Sequence, residues 1–489
     1  MKLPMLLNLG QQPLSATLPV TERPDNAEVF QSHDPACPEE VVASYCIASE
    51  AQTDEVLDRA QSAFQEWSAL TGTQRVNAIG RWLERIEAST DDIALCMTAE
   101  QGKPLSESCA EIGKALREAR QMLGFASSHA GCTLPGRSRG FRNIIMRRPH
   151  GIVLAIAPWN FPILTPLRKL VPALVTGNTV VLKPSEYSPA AAIALVTLAE
   201  GIIPEGALSL VNGKGAVAAR LVAEDRIRAV SFTGSVDTGR KVAVAAAAGL
   251  KPVSLELGGK NAAILDEVAD PGAAMDAIVG AAFQCSGQRC TSISRVIFRR
   301  HRLDEVVGGF RHRLDKLVAG PGRQAGTTLG PITTPEQLDK IERLVNEAIE
   351  GGAACLLGGH RLSPDEAPTG RFFAPTLLLC EDPSNVAVQE EIFGPVLTLQ
   401  PCDSDDEALA LLNNSRFGLT SAVFSDRVQF VNRALSEAQS GMIHINHGTV
   451  PDDNMPFVGI RDSGLGIGSV GASTLDFYTS EHSAYVAGY

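Results

Sequence analysis

Cys290 and Glu256 have the residue types and the setting that nucleophilic thiol chemistry requires. Cys290 closes the stretch Cys-Ser-Gly-Gln-Arg-Cys, and Glu256 stands 34 residues before it in Glu-Leu-Gly-Gly-Lys-Asn. A cysteine reacts as its thiolate, which the backbone amides of a glycine-containing loop could stabilise. Glu256 ends an apolar run, where a carboxylate can serve as a general base. Considered singly, Cys290 could also be a buried apolar residue and Glu256 a solvated carboxylate.

Three further motifs carry groups that suit a bound ligand. In Pro-Trp-Asn-Phe-Pro at 158–162, the Asn160 amide can donate to an oxyanion. The lysine and glutamate of Lys-Pro-Ser-Glu at 183–186 can hydrogen-bond ribose hydroxyls. Phe-Thr-Gly-Ser at 232–235 opens a helix whose N-terminus suits a pyrophosphate, whereas Gly-Lys-Gly at 213–215 is an incomplete glycine-rich fingerprint. Each motif alone also fits ordinary turns and helix caps.

The apolar periodicity places these motifs at the ends of buried strands. Residues 51–130 have helical spacing, whereas from Gly151 onward short apolar runs alternate with helical stretches. The predicted strands are 152–157, 179–183, 208–211, 229–232 and 252–257. This alternation predicts a doubly wound α/β sheet, which binds ligands beyond the carboxyl ends of its strands. A second α/β series runs from 262 to 436, and the aromatic tail 473–489 is predicted to form an edge strand that could pair with a subunit.

Charge and composition narrow the class of protein. The net charge of −12, with no long Lys/Arg block, argues against nucleic-acid binding. The longest uncharged apolar run, 151–167, is short and broken by prolines, so we expect no membrane span there. The ten cysteines form no Cys/His cluster, and we expect neither a metal site nor a disulfide framework. Residues 1–10 lack a signal-peptide pattern, and we expect a cytoplasmic location.

Seven ordered motifs together resemble the aldehyde dehydrogenase superfamily, of the non-phosphorylating, acid-forming kind. The resemblance covers about residue 25 to the C-terminus, and it adds Glu-Ile-Phe-Gly-Pro at 391–395 and Pro-Phe-Val-Gly at 456–459 to the motifs above. It is nearest to the succinate semialdehyde and lactaldehyde dehydrogenase-like branches. It implies an α/β fold with a Rossmann-like cofactor domain, an α/β catalytic domain and a small β oligomerisation element. The implied boundaries are 1–129 and 149–257 for the cofactor domain, 258–469 for the catalytic domain, and 130–148 and 470–489 for the oligomerisation element.

The resemblance also implies a role for each motif. Cys290 would attack the aldehyde carbonyl, with the Asn160 side chain and the Cys290 backbone amide holding the oxyanion. Glu256 would activate the water that hydrolyses the resulting thioester, and Lys169 would belong to the same catalytic group. The residues implied to hold the cofactor are Trp159, Lys183, Ser185, Glu186, Gly215, Phe232, Gly234, Ser235, Leu257, Gly258, Glu391 and Phe393.

The cofactor is expected to be NAD rather than NADP. By the resemblance, Lys183 and Glu186 bind the adenine ribose, and the Glu186 carboxylate would repel a 2′-phosphate. Ser235 would hold the pyrophosphate. Glu391 would bind the nicotinamide ribose, and Phe393 would pack at the nicotinamide.

The chain departs from the family pattern in two segments. Val458 and Arg461 stand where the family often has the second glycine and the lysine of Pro-Phe-Gly-Gly-x-Lys. Ile467 and Gly468 stand where many relatives carry an acidic residue, which forms a proton relay with the lysine at Lys169. The nucleophile Cys290 and the base Glu256 are intact. We therefore expect the departures to affect only the proton relay, in which Lys169 would lack its usual acidic partner.

Arg168 indicates the kind of aldehyde. It precedes Lys169 on the helix that should line the substrate entrance, and a guanidinium there suits a carboxylate or hydroxyl at the far end of a short substrate. Relatives that oxidise succinate semialdehyde or lactaldehyde resemble this chain in having arginine here. The alternative is a surface arginine in a salt bridge. The side chains assigned to the substrate tunnel are Phe161, Arg168, Phe283, Arg289, Thr291 and Phe457.

Two other functions stay open from the sequence. A CoA-acylating dehydrogenase would pass the acyl group to CoA instead of water, but that branch tends to lack the base that Glu256 provides. A structural or binding protein on the same fold would have no need of intact Cys290, Glu256 and Asn160. The expected partners are a small-molecule aldehyde and further copies of the chain, in a homodimer or a homotetramer.

Overall fold

A six-stranded sheet forms the first α/β layer of the protein, whose computed structural model describes residues 28–127, 129, 131–367 and 370–487. In spatial order its strands are Gly464–Leu465, Val253–Glu256, Ile227–Thr233, Ile152–Ile156, Thr179–Lys183 and Leu208–Leu210. The last five are parallel, and they are the five strands predicted from the sequence. The order of the strands along the chain reverses between Ile152–Ile156 and Ile227–Thr233, so this pair marks the switch point at which such sheets bind ligands.

Helices surround this first sheet. Two of them begin with capping boxes, at Ser49 and at Thr71, which satisfy the first free backbone N–H groups. The helical spacing over 90–126 is interrupted at Gly102, which takes a left-handed φ of 95° and ends one helix just before Pro104. The helices of this part are Glu50–Ala69, Gly72–Ala88, Thr90–Gln101, Leu105–Ala126, Leu164–Val175, Pro189–Thr197, Gly215–Ala223 and Val236–Ala248.

A seven-stranded sheet forms the second layer. Its strands, in spatial order, are Ala354–Leu357, Thr376–Leu379, Val396–Cys402, Ile293–Arg299, Asn261–Leu265, Thr420–Phe424 and Met442–Ile445. All neighbours are parallel except the first pair. The α-helices of this layer are Pro271–Phe283, Leu303–Leu314, Pro335–Glu350, Val386–Gln389, Asp405–Asn413 and Val428–Glu437, with 3-10 turns at Gln284–Gly287 and Arg300–Arg302. The α/β fold class with two such layers is therefore confirmed.

A three-stranded antiparallel sheet joins the tail to the middle of the chain. The strand Thr479–Ala487 follows the short helix Thr474–Phe477 and pairs with Phe141–Pro149, which also pairs with Cys132–Pro135. The tail strand therefore lies at an edge, but it has a partner within its own chain. Residues 1–27, 128, 130, 368–369 and 488–489 of the predicted domains lie outside the described residues.

Two small strand pairs were not predicted. The hairpin Val29–Asp34 and Cys37–Cys46 is attached to the first layer by Glu100, which accepts hydrogen bonds from Tyr45 at 2.5 Å and Ser32 at 2.7 Å. Burial raises the pKa of Glu100 to about 7. The other pair is Phe417–Gly418 with Ile460–Arg461. Among the described residues, no helix is long and apolar enough to cross a membrane, and no group of His, Cys, Asp and Glu is suited to a metal ion.

Candidate active site

Cys290 lies on a strained loop that enters the second sheet. Cys285, Ser286 and Gly287 take left-handed φ values of 54°, 54° and 72° in succession. For the first two this conformation is costly, and such strain often occurs at functional sites. A Cβ at Gly287 would collide with the Gly394 carbonyl oxygen. The loop therefore needs glycine at this point to approach the neighbouring segment so closely.

Two amide side chains hold this loop in place. Nδ2 of Asn261 donates to the carbonyls of Cys290 at 2.7 Å and Ser292 at 2.9 Å. Nδ2 of Asn160 donates to the carbonyl of Gln288 at 2.8 Å. An amide NH₂ group has two hydrogens, so Asn160 retains one donor beside Cys290. The structure thus brings the predicted oxyanion donor to the predicted nucleophile.

The Cys290 thiol lies in a cleft of about 390 Å³, which we call the central cleft and which is also lined by Asn160, Glu256 and Glu391. Burial, together with the charges of Glu256 and Glu391, raises the pKa of Cys290 to about 12. The thiol of the cofactor-free protein is therefore protonated at neutral pH. A base must take its proton before or during attack on a carbonyl.

Glu256 occupies the carboxyl end of a central strand and points into the same cleft. One carboxylate oxygen accepts from Thr233 Oγ1 at 3.1 Å, and the other accepts from the Ser469 backbone N–H at 3.1 Å. The side chain is buried, with 5% of the residue exposed. Each oxygen keeps a lone pair for a water molecule, so two weak hydrogen bonds orient the carboxylate without occupying it.

Lys169 is buried close to Glu256. Its Nζ donates to Ser231 Oγ at 3.0 Å, and burial lowers its pKa to about 8, a shift that the charge of Glu256 opposes. At the position of the missing acidic residue, the Ile467 carbonyl accepts from Ser254 instead. Among the described residues, no carboxylate lies within ion-pair distance of Lys169.

Seven of the predicted cofactor residues line the central cleft. These are Trp159, Gly234, Ser235, Leu257, Gly258, Glu391 and Phe393. Ser235 caps the helix that starts at the switch point, accepting from the Thr238 N–H. Glu391 accepts from the Gly259 N–H at 2.9 Å, and burial raises its pKa. The Trp159 and Phe393 rings meet edge to face, with centroids 5.6 Å apart.

Five other predicted cofactor residues lie along the first sheet, and they are not among the residues that line the central cleft. Lys183 ends a strand, and its ammonium group is 3.4 Å from the Glu186 carboxylate, with the buried Ser185 between them in sequence. Gly215 is exposed and begins a helix. The Phe232 ring packs against Gly234, where a Cβ would press on it.

Arg168 lines the central cleft, but its charge is already paired. Nε and Nη2 donate to the two carboxylate oxygens of Glu118 at 2.6 and 2.7 Å. The guanidinium lies 4.7 Å from the centroid of the Phe457 ring. Arg168 therefore forms the salt bridge of the alternative, but the pair is buried and lies in the cleft wall, not on the surface; the assignment of Arg168 to substrate binding stays a prediction.

Arg289 is the second buried arginine of the cleft, with 6% of the residue exposed. It donates to Oε1 of Gln284, to Thr291 Oγ1 at 3.0 Å and to the Thr449 carbonyl at 3.2 Å. Burial lowers its pKa. Phe161 also lines the cleft, and the Lys103 ammonium lies 4.3 Å from its ring centroid.

The assignment of Phe283 to the substrate tunnel is corrected. Phe283 ends the helix Pro271–Phe283, and its ring packs in the apolar core between that helix and the second sheet. It lines a different cavity of about 530 Å³, the second cavity, together with Ala277, Leu317 and His447. An apolar residue at the end of a helix can face either side of the loop that follows, which sequence periodicity does not resolve.

Several residues of the site were missed, and the clearest are a buried ion pair. Lys103 Nζ lies 2.5 Å from Glu111 Oε2 and donates to the Asn160 carbonyl at 2.7 Å. Glu111 in turn accepts from the Ile163 and Leu164 N–H groups. The pair therefore holds the backbone at the predicted oxyanion donor and in the turn that follows it.

The missed residues carry a signal in the sequence. Glu107, Glu111, Lys114 and Glu118 are spaced by four, three and four residues, which places them on one face of the helix Leu105–Ala126. Charged residues at the spacing of a buried face are unusual and suggest a polar site opposite them. In the structure the first three line the central cleft, and Glu118 is the partner of Arg168.

Comparisons with known proteins agree with this geometry. Residues 22–483 match the family model described as "Aldehyde dehydrogenase family". Glutarate-semialdehyde dehydrogenase of Pseudomonas aeruginosa is 35% identical over 445 residues, covering 90% of this chain and 91% of that protein.

Two solved structures extend the comparison. An NADP-dependent enzyme of E. coli superposes with a TM-score of 0.91 at 31% identity, covering 95% of each chain. Betaine aldehyde dehydrogenase of Staphylococcus aureus, solved in complex with NAD⁺, superposes with a TM-score of 0.91 at 30% identity, covering 94% of this chain and 92% of that one.

Proposed function

Since this chain belongs to the aldehyde dehydrogenase family and is an NAD(P)-dependent enzyme that oxidises an aldehyde, we propose that its substrate is a small polar aldehyde, a semialdehyde or a hydroxyaldehyde. The product would be the free carboxylic acid. The observation that supports acid formation most directly is that Cys290, Asn160 and Glu256 line the same cleft. A nucleophile, an oxyanion donor and a base in one cavity suit acyl transfer through an enzyme-bound thioester.

In the first half of the proposed reaction, the Cys290 thiol would give up its proton to a water molecule, and Sγ would then bond to the carbonyl carbon. The carbonyl oxygen gains the negative charge, and the free N–H of Asn160 and the Cys290 backbone N–H would stabilise it. The hydrogen bonds of Asn160 to the Gln288 carbonyl and of Asn261 to the Cys290 carbonyl support this proposal, because they would fix both donors before substrate arrives. A bound NAD(P)⁺ would supply the hydride acceptor, and loss of hydride from the substrate carbon would leave a thioester on Cys290.

In the second half, Glu256 would take a proton from a water molecule, which attacks the thioester carbon. The carbon–sulfur bond breaks, the acid leaves, and the Cys290 thiolate is regenerated. Burial lowers the pKa of Lys169 to about 8, and the negative charge of Glu256 opposes this shift, so the two side chains lie close enough to interact. We assign to Lys169 a supporting role in proton transfer through Ser231, without the acidic partner found in relatives.

The residues present fit a dinucleotide cofactor. The capped helix after Ser235 starts at the switch point of the first sheet, where its N-terminus suits a pyrophosphate. The Glu391 carboxylate packs so closely against Gly258 that a Cβ there would collide with it, so glycine is needed to keep Glu391 in the cleft. We propose NAD as the preferred cofactor, because the Glu186 carboxylate beside Lys183 would repel a 2′-phosphate.

We further propose the domain boundaries given by the sequence, with one adjustment. Gly464–Leu465 pairs with Val253–Glu256 and thus belongs to the first sheet, although the range 258–469 was assigned to the catalytic domain. A homodimer or homotetramer and a cytoplasmic location are also proposed. The ten free cysteines support a reducing compartment.

A substrate screen tests the proposed function. Reduced-cofactor formation is measured with succinate semialdehyde, glutarate semialdehyde, lactaldehyde, glycolaldehyde and benzaldehyde, each with NAD and with NADP. We expect acid formation without CoA, a higher kcat/KM with NAD, and loss of acid formation in Cys290→Ala with retained cofactor binding. Acyl-CoA formation that requires CoA would favour the acylating reaction, and full activity of Cys290→Ala would reject the mechanism.

A further inference from the structure

We propose that Arg289, and not Arg168, binds an anionic group at the far end of the substrate, so that aldehydes with a distal carboxylate are preferred. This inference rests on the proposed aldehyde oxidation and concerns the specificity of the same central cleft. It replaces the sequence-based assignment of that role to Arg168. The two arginines differ in how their charges are balanced, and this difference carries the argument.

The charge of Arg168 is balanced within the protein. Its bidentate pair with Glu118 uses Nε and Nη2, the donors that match a carboxylate best. Lys114 lies 3.3 Å from the same carboxylate, and the Phe457 ring packs against the guanidinium. A substrate carboxylate at Arg168 would have to approach Glu118, so the like charges would oppose binding. Arg168 therefore forms part of the cleft wall.

The charge of Arg289 is not balanced in this way. Its three hydrogen-bond acceptors are an amide, a hydroxyl and a backbone carbonyl, all neutral. Among the described residues, no carboxylate lies within ion-pair distance of it. A guanidinium has five N–H donors, so about two remain for a ligand. A buried cation without a counter-ion is costly, and an anionic substrate would supply the missing charge.

The position of Arg289 suits the far end of a substrate whose aldehyde is at Cys290. Gln284, which accepts a hydrogen bond from Arg289, lines both the central cleft and the second cavity. Val450 also lines both cavities, and it directly follows Thr449, whose carbonyl accepts from Arg289. The guanidinium is thus held where the two cavities adjoin. A chain that runs from the thiol to this point would carry its carboxylate to Arg289.

Glu107 gives the proposal a second, independent test. Its charge acts on Arg289 from beyond ion-pair distance, and its Oε2 accepts from the Cys285 N–H at 2.8 Å. Burial raises the pKa of Glu107. A substrate carboxylate at Arg289 would be repelled by an ionised Glu107. Replacement of Glu107 by glutamine keeps an acceptor for Cys285 and removes that repulsion.

The experiment compares semialdehydes with neutral aldehydes of equal length: succinate semialdehyde with butanal, and glutarate semialdehyde with pentanal. The quantity measured is the ratio of kcat/KM, carboxylated to neutral. We expect Arg289→Gln to lower this ratio about 100-fold, mainly through KM, as expected for loss of a charged hydrogen-bonded pair. Arg168→Gln, the matched control, should affect both substrates similarly and change the ratio less than about threefold.

Glu107→Gln should raise the ratio several-fold, an effect that misfolding cannot produce. The proposal is overturned if Arg168→Gln lowers the ratio and Arg289→Gln does not, or if Glu107→Gln lowers it. It is also overturned if the wild type prefers the neutral aldehydes, in which case the proposed oxidation stands. If the wild type forms no acid from any aldehyde, the proposed function itself fails.

Discussion

At the level of single residues, Cys290 is placed where ionisation of its own thiol is opposed. Burial is the largest cause of its raised pKa, and Glu256 and Glu391 add to the effect, while Arg168 and Arg289 act in the other direction. A protonated thiol is a poor nucleophile, which protects the cofactor-free protein from alkylation and oxidation. The thiolate must then be formed within the catalytic cycle, before Cys290 attacks the carbonyl carbon.

Alkylation of Cys290 by iodoacetamide tests this view. With a pKa of about 12, the alkylation rate of the cofactor-free protein should rise roughly tenfold per pH unit from pH 7 to 10, without a plateau. Glu256→Gln should increase the rate at neutral pH, because removal of a nearby negative charge lowers the thiol pKa. Trypsin cleaves after Arg289, so mass spectrometry separates Cys290 from Cys285. A plateau below pH 8 would show that the thiol ionises readily.

At the level of secondary-structure elements, the site depends on a loop and a helix that both line the cleft and are joined by the hydrogen bond from the Cys285 N–H to Glu107. The loop before Cys290 is fixed by backbone strain and by two amide side chains. The helix Leu105–Ala126 presents its charged face to the cleft and supplies the counter-ion of Arg168. The helix thereby decides which of the two arginines is available to a ligand, although it carries no residue of the proposed reaction.

Two glycine substitutions test the role of the loop. In Gly287→Ala the new Cβ would collide with the Gly394 carbonyl, and the left-handed φ of 72° adds a cost of about 1–2 kcal/mol. We expect kcat to fall about 100-fold, as for other small displacements of a reacting group. Gly280→Ala is the control, because nothing lies within 4 Å of its Cβ position in the adjoining helix. Gly280→Ala should retain wild-type activity. Circular dichroism melts should show that it unfolds at no lower temperature than the wild type. Equal activity of the Gly287→Ala and Gly280→Ala variants would contradict the argument.

At the level of the whole molecule, two α/β layers present their ligand-binding segments to one cavity. The first contributes Asn160 and Glu256 from the ends of parallel strands, and the second contributes Cys290 and Glu391. The sequence predicts the strands of the first layer well, since each is a short apolar run bounded by turn residues. It also identifies the motifs that follow them, because their residue types suit ligands.

The rest depends on contacts between residues distant in sequence. Arg168 and Glu118 are 50 residues apart, and nothing in local periodicity indicates that they pair. The hairpin at residues 29–46 was missed because many of its side chains are polar and partly exposed. Phe283 was misplaced because apolar spacing shows that a residue is buried, but not in which cavity wall it lies. For the Arg168–Glu118 pair, the sequence does offer one signal, the charged face of the helix Leu105–Ala126.

The measurement that tests the central claim most directly is a single turnover of Glu256→Gln. If Cys290 carries the acyl group and Glu256 releases it, this variant should give a burst of about one reduced cofactor per active site, followed by little turnover. Mass spectrometry should find the acyl group on the tryptic peptide that begins at Cys290, and hydroxylamine added to the intact protein before digestion should remove it. Continued turnover at the wild-type rate, or an acyl group on another residue, would contradict the account.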